Sequence, residues 1–206
     1  MKTLPIPLEK LGFVERERRS GKIVTNRCGR DFLYYALHYY FPDKFNPNGL
    51  SPLEVERRGL FGLRLPSWLM WTQLQFVRLP RYLASTGVTL VINDREILSF
   101  GALVAAILFS RMSYRDAIRN IERAVDEQRS VGVDISLGYG GLLDHVVFVY
   151  GYDADNLYVC DTHQVPMLEY TRLTDDHRYF MKLPKAVVQK RWTRFGRVWE
   201  LKKLDI

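Results

Sequence analysis

Cysteine is scarce in this chain: two residues, Cys28 and Cys160, among 206. Two cysteines cannot build a disulfide scaffold, nor can they supply a four-cysteine zinc site. Long apolar runs are missing as well. The longest, Ile97 to Phe109, spans 13 residues, well short of the roughly 20 that carry a helix across a bilayer. The first twenty residues are interrupted by Pro5, Pro7, Glu9 and Lys10, so they lack the unbroken apolar stretch of a secretory signal. No internal repeat, low-complexity tract or Pro/Gly/Ser-rich linker divides the chain. These absences lead to the expectation of a cytoplasmic protein with no membrane span, forming one domain over residues 1–206.

What is present supports a folded core. Hydrophobic residues make up 47% and charged residues 26%, an ordinary globular balance that excludes a disordered or collagen-like chain. Thirty Lys and Arg against 23 Asp and Glu give a net charge of +7, which raises the question of nucleic acid. The basic excess concentrates between Lys182 and Lys203, where Trp192, Phe195 and Trp199 are interleaved with cations. Aromatics beside cations suit single-strand binding. An edge segment whose aromatics pack inward and whose cations face water has the same pattern, and nucleic acid is the less favoured partner.

The pattern of apolar residues sets out the elements. Phe32, Leu33, Ala36, Leu37 and Tyr40 recur at helical spacing, and Pro42 ends the run, so a helix is expected over 29–40. An insert rich in Pro, Asn and Gly follows at about 41–75 and returns through Trp68 and Trp71 to a segment interrupted or begun by Pro80. Val88 to Ile92 reads as a strand, while Ile97 to Phe109 fits a buried helix or strands. Ser113 is an N-cap for an amphipathic helix built on Ala117, Ile118, Ile121 and Val125. Val131–Leu137, His145–Tyr152 and Leu157–Asp161 read as strands, the last two joined by the Asp153–Asn156 turn.

Three residues have positions suited to chemistry. Cys28 lies just before the first helix, where unsatisfied first-turn N–H groups favour an anion, so it is a candidate nucleophile. Taken alone, such a cysteine is more often a small buried hydrophobe. His145 opens a strand after a glycine loop, and Asp161 ends the paired strand, where its carboxylate can orient an imidazole. Alone, each has a plain structural reading, as a hydrogen-bonded histidine and a turn aspartate. A metal site is not expected: Cys160 and His163 are three apart, but Cys160 and Asp161 alternate across the strand and cannot serve one site together. His38 and His177 have no partner pattern.

Together, Asn26–Tyr40 (NRCGRDFLYYALHYY) and Asp144–Thr162 (DHVVFVYGYDADNLYVCDT) resemble segments of the papain-like cysteine peptidases of the bacteriocin-processing, double-glycine leader peptidase-like type, here as a stand-alone chain. In that family a Cys-Gly opens the nucleophile helix, and a strand of the form H-x-V-x-V-x-G-Y-D leads through a turn to an Asp; Asp161 follows His145 by 16 residues. The resemblance runs in order from about Asn26 to Tyr170. It implies an α+β papain-like fold, with an N-terminal helical part packed on an antiparallel sheet. It also implies a Cys28–His145–Asp161 triad acting on a peptide, a protein or another amide or acyl compound, with no cofactor. The family's oxyanion glutamine, six residues before the cysteine, is replaced by Lys22; Asn26 is the nearest side-chain amide for that role. Thr162 stands in place of a proline after the Asp, and Asp144 in place of a glycine before the His.

The expected function is therefore that of a cysteine peptidase or a related thiol acyl hydrolase or transferase. Two alternatives remain open at this point: a papain-like binding module with weak or no catalysis, and a basic protein associated with nucleic acid.

Overall fold

A computed structural model of the chain describes residues 1–5, 28–42, 79–138, 143–161, 168–173 and 180–204. Most of the insert at 41–75, together with Lys22, Asn26, Trp68, Trp71, Thr162, His163 and His177, lies outside the described residues.

The described chain is α+β. In order it forms β1 (Lys2–Thr3), α1 (Cys28–Tyr40), α2 (Leu79–Ser85), β2 (Val88–Ile92), β3 (Arg95–Ile97), α3 (Phe100–Phe109), α4 (Tyr114–Asp126), β4 (Ser130–Gly138), β5 (Leu143–Tyr152), β6 (Asn156–Cys160), β7 (Thr171–Arg172), β8 (Phe180–Pro184), α5 (Lys185–Arg191) and β9 (Arg197–Lys203). Among the described residues the strands make one sheet in the order β3-β2-β9-β4-β5-β6-β8-β7, and β1 pairs with β5 beyond the point where β4 leaves it. Every pairing is antiparallel. The C-terminal strand β9 thus lies between β2 and β4, in the middle of the sheet, which locks the end of the chain into the core.

Local sequence accounts for the main elements. In α1 the apolar stripe buries Phe32, Leu33, Tyr35, Ala36 and Leu37, and the helix ends before Pro42, whose ring cannot continue it. Pro80 is the second residue of α2, a place where a missing N–H costs nothing. The Ser113 hydroxyl caps α4 by accepting from the Asp116 N–H at 3.1 Å, and Ala117, Ile121, Ala124 and Val125 form its buried stripe. Asn93 and Asp94, both at positive φ (48° and 62°), make the two-residue turn between β2 and β3, a conformation Asn and Asp tolerate.

The open reading of Ile97–Phe109 is resolved as the end of β3 followed by a helix. That helix is not buried all round: Leu103 and Ala106 are buried, whereas Leu108 and Phe109 are exposed.

The packing of α1 on the sheet sets the position of the candidate site. The Phe32 ring sits against Phe148 and edge-on to Trp199, with centroids 6.3 and 6.2 Å away, and Tyr35 lies 5.7 Å from Phe148. Gly132 makes this approach possible, because a Cβ there would lie 2.6 Å from the Phe32 ring and 2.9 Å from the Val147 carbonyl. At the far end the Tyr40 hydroxyl donates to the Leu201 carbonyl at 2.6 Å and accepts from the Ser130 N–H at 3.1 Å. The helix therefore runs along the sheet from the start of β5 toward the start of β4, and its first residue, Cys28, is delivered to the end where β5 begins and β6 finishes.

Candidate active site

Antiparallel pairing of β5 with β6 brings the beginning of one strand beside the end of the other. His145, third in β5, and Asp161, the residue after β6, consequently meet: His145 Nε2 lies 2.9 Å from Asp161 Oδ2, and both side chains are almost wholly buried. A hydrogen bond with Cys28 reaches the same imidazole. The three residues singled out in the sequence are thus brought together, with Cys28 only half-buried and the histidine and aspartate shielded from water. With Nε2 engaged by Asp161, Nδ1 is the ring nitrogen left to face the thiol.

Electrostatics favour the charged imidazole. Burial alone would push the His145 pKa down, but the Asp161 carboxylate beside it, and to a lesser degree Cys28, more than offset this and raise it from 6.5 to about 10. At neutral pH the ring is an imidazolium with the Asp161 carboxylate on one side and Cys28 on the other.

Sequence reasoning passed over a fourth residue of this cluster, Tyr170. Its hydroxyl donates to Asp161 Oδ2 at 2.7 Å, the oxygen that also receives His145 Nε2. Burial, followed by the charge of Asp161, holds this phenol well above its ordinary pKa, so it remains a donor. A signal was present only in the topology. Tyr170 immediately precedes β7, which hydrogen-bonds to β8, itself the neighbour of β6.

Cys160, by contrast, is buried and takes a hydrogen bond from Tyr35 on α1. Burial pushes its thiol pKa far up. His38 is buried in α1. No group of three or more His, Cys, Asp or Glu suited to a metal ion occurs among the described residues, and no described helix is long and apolar enough to cross a membrane.

A second polar cluster adjoins the first through Asp144, the residue before His145. Arg197 Nη1 donates to Asp134 Oδ2 at 2.5 Å and to Asp144 Oδ2 at 3.3 Å, and its Nη2 donates to the Ile107 carbonyl at 3.2 Å. One guanidinium thus serves two carboxylates. Burial, together with the charge of Asp134, raises Asp144 to about 7. The basic C-terminal segment is correspondingly less available than its composition suggests. Arg197 and Trp199 are buried, Lys185 pairs with Glu122 at 2.6 Å, and Trp192 donates to the Met112 carbonyl at 2.9 Å.

No protein-family model matches the chain, and no curated protein and no solved structure matches it.

Proposed function

We propose that this protein is a thiol-dependent acyl hydrolase or transferase, of the cysteine peptidase kind that its sequence resembles, on a papain-like fold. The observation that carries the reading is the joint engagement of His145 by Asp161, at 2.9 Å, and by Cys28 at the start of α1. A half-buried sulfur in contact with an imidazole that is itself held by a buried carboxylate is the arrangement nucleophilic catalysis requires.

In this reading the thiol proton of Cys28 already resides on the His145 imidazolium, and the Cys28 thiolate beside it adds to the carbonyl carbon of an amide or related acyl group. The carbonyl π electrons move to oxygen, and first-turn N–H groups of α1 are suitable donors to that oxyanion. As the intermediate collapses, the C–N bond breaks and His145 returns its proton to the leaving nitrogen, leaving an acyl thioester on Cys28. Water, or a second nucleophile in a transferase, then gives a proton to His145, attacks the thioester and releases Sγ. Asp161 remains a carboxylate throughout and orients the ring.

The test is incubation with a panel of fluorogenic peptide amides and activated acyl esters, with mass spectrometry of the intact protein. An acyl adduct on Cys28, absent in Cys28→Ala and Cys28→Ser and accompanied by turnover, supports the reading. Lack of any adduct or turnover across the panel, in a protein whose Cys28 still alkylates, removes it. Lys22, at the position where the resemblance implies an oxyanion glutamine, favours a second reading, a binding module with the same fold. That reading predicts saturable peptide binding without an adduct.

A further inference from the structure

We infer that Tyr170 is a positioning residue of this site, holding the Asp161 carboxylate in the orientation that engages His145. The inference rests on the functional reading above and adds to it a fourth side chain. Its basis is a shared acceptor: the Tyr170 hydroxyl and His145 Nε2 approach the same Asp161 oxygen, at 2.7 and 2.9 Å. An aspartate side chain has three staggered χ1 wells and a broad χ2. Two donors converging on one oxygen select a single rotamer, and a hydrogen bond to a charged acceptor is worth more than a neutral one.

The scaffold fixes Tyr170 from both sides. Before it, Leu168 is fully buried in the core, and Glu169 adopts a left-handed conformation at φ 52°. This conformation is uncommon for a residue with a side chain and persists where its surroundings impose it. After it, β7 pairs with β8 through Thr171↔Lys182 and Arg172↔Met181. Among the described residues, charged and titratable groups near the hydroxyl come from three other elements: Asp161 after β6, His145 on β5 and Cys28 on α1.

The role is one of alignment. Without the hydroxyl, Asp161 samples other rotamers, the imidazolium loses part of its counter-charge, and the proton is held less tightly. Tyr170→Phe keeps the ring and removes only the donor. Tyr158→Phe is the matched control, since Tyr158 donates to Asp153 Oδ2 at 2.6 Å on the remote hairpin turn.

The experiment follows the His145 ring by nitrogen NMR in histidine-labelled full-length protein across pH 6–11, with the rate of Cys28 alkylation by iodoacetamide measured alongside. Tyr170→Phe is expected to move the His145 titration about one unit lower, with the alkaline limb of the Cys28 alkylation profile moving with it, while Tyr158→Phe moves neither. A His145 titration in Tyr170→Phe that coincides with wild type overturns the inference. If the variant does not fold, the unaltered protein still decides. Both donor protons lie on one oxygen, so a nuclear Overhauser contact between the Tyr170 hydroxyl and His145 Nε2–H is expected, and its absence overturns the inference. Neither measurement needs turnover, so a wild type that cleaves nothing removes the acyl-transfer reading without touching this one.

Discussion

Replacing Asp161 by Asn separates the two opposing forces on His145 and yields a stability difference with a defined pH window. In the native protein the imidazole titrates at about 10, against 6.5 unperturbed. Because the folded pKa is the higher one, the contribution to stability is fully present below pH 6.5 and is lost as pH rises through 10. At 1.36 kcal/mol per unit, linkage gives roughly 5 kcal/mol below pH 6, roughly 3 kcal/mol at pH 7.5 and less than about 0.5 kcal/mol at pH 10. The upper figure is close to the 3–5 kcal/mol typical of breaking a buried pair by removing one partner. In Asp161→Asn the counter-charge is gone and burial acts alone, so the ring titrates below 6.5 and is neutral through the same window. Urea unfolding of wild type and variant at half-unit steps from pH 6 to 10 measures the difference, and other titrating groups cancel. The gap should be several kcal/mol at pH 6 and close almost entirely by pH 10. A gap that is constant with pH would refute the reasoning, because the interaction would then be neutral hydrogen bonding and packing rather than an ion pair.

Alkylation of the native protein with iodoacetamide near pH 6 should modify Cys28 first, since Cys160 is buried with its thiol pushed far up by burial; peptide mapping that finds Cys160 labelled equally or first counts against the site. Gly132→Ala should destabilise by about 1–3 kcal/mol through overpacking against Phe32. Because α1 must lift away to relieve the clash, it should also slow Cys28 alkylation; unchanged thermal unfolding would show that the helix does not lie where we place it. Asp144→Asn should stabilise the protein at pH 8 by about 1 kcal/mol, reduced by solvent screening of a side chain partly open to water. The sign follows from a carboxyl raised to about 7, whose ionisation opposes folding as pH rises from 4 to 7, so the gain should vanish near pH 4 in chemical denaturation.

The elements that were legible have local signals. The stripe from Phe32 to Tyr40, the Ser113 cap and the β-branched runs around Val88, Val131 and Val147 each report on their own segment, and all emerge as the expected helices and strands. The candidate site was legible for a related reason: His145 and Asp161 sit on two strands joined by a tight turn, so counting along a hairpin brings them together. What could not be read is whatever depends on strand order. Arg197 belonged to a basic stretch in the sequence, yet β9 inserts between β2 and β4 and carries it to Asp134, 63 residues away, which makes it a core residue. Tyr170 lies in a stretch without periodicity, and only the placement of β7 and β8 beyond β6 turns it back onto Asp161. The two omissions have a common physical consequence. Both residues donate, from segments that follow the hairpin in sequence, to carboxylates close to His145 in chain or in space. The last fifth of the chain, from Leu168 onward, therefore does more than close the sheet: it carries Tyr170 to Asp161 and Arg197 to Asp134 and Asp144.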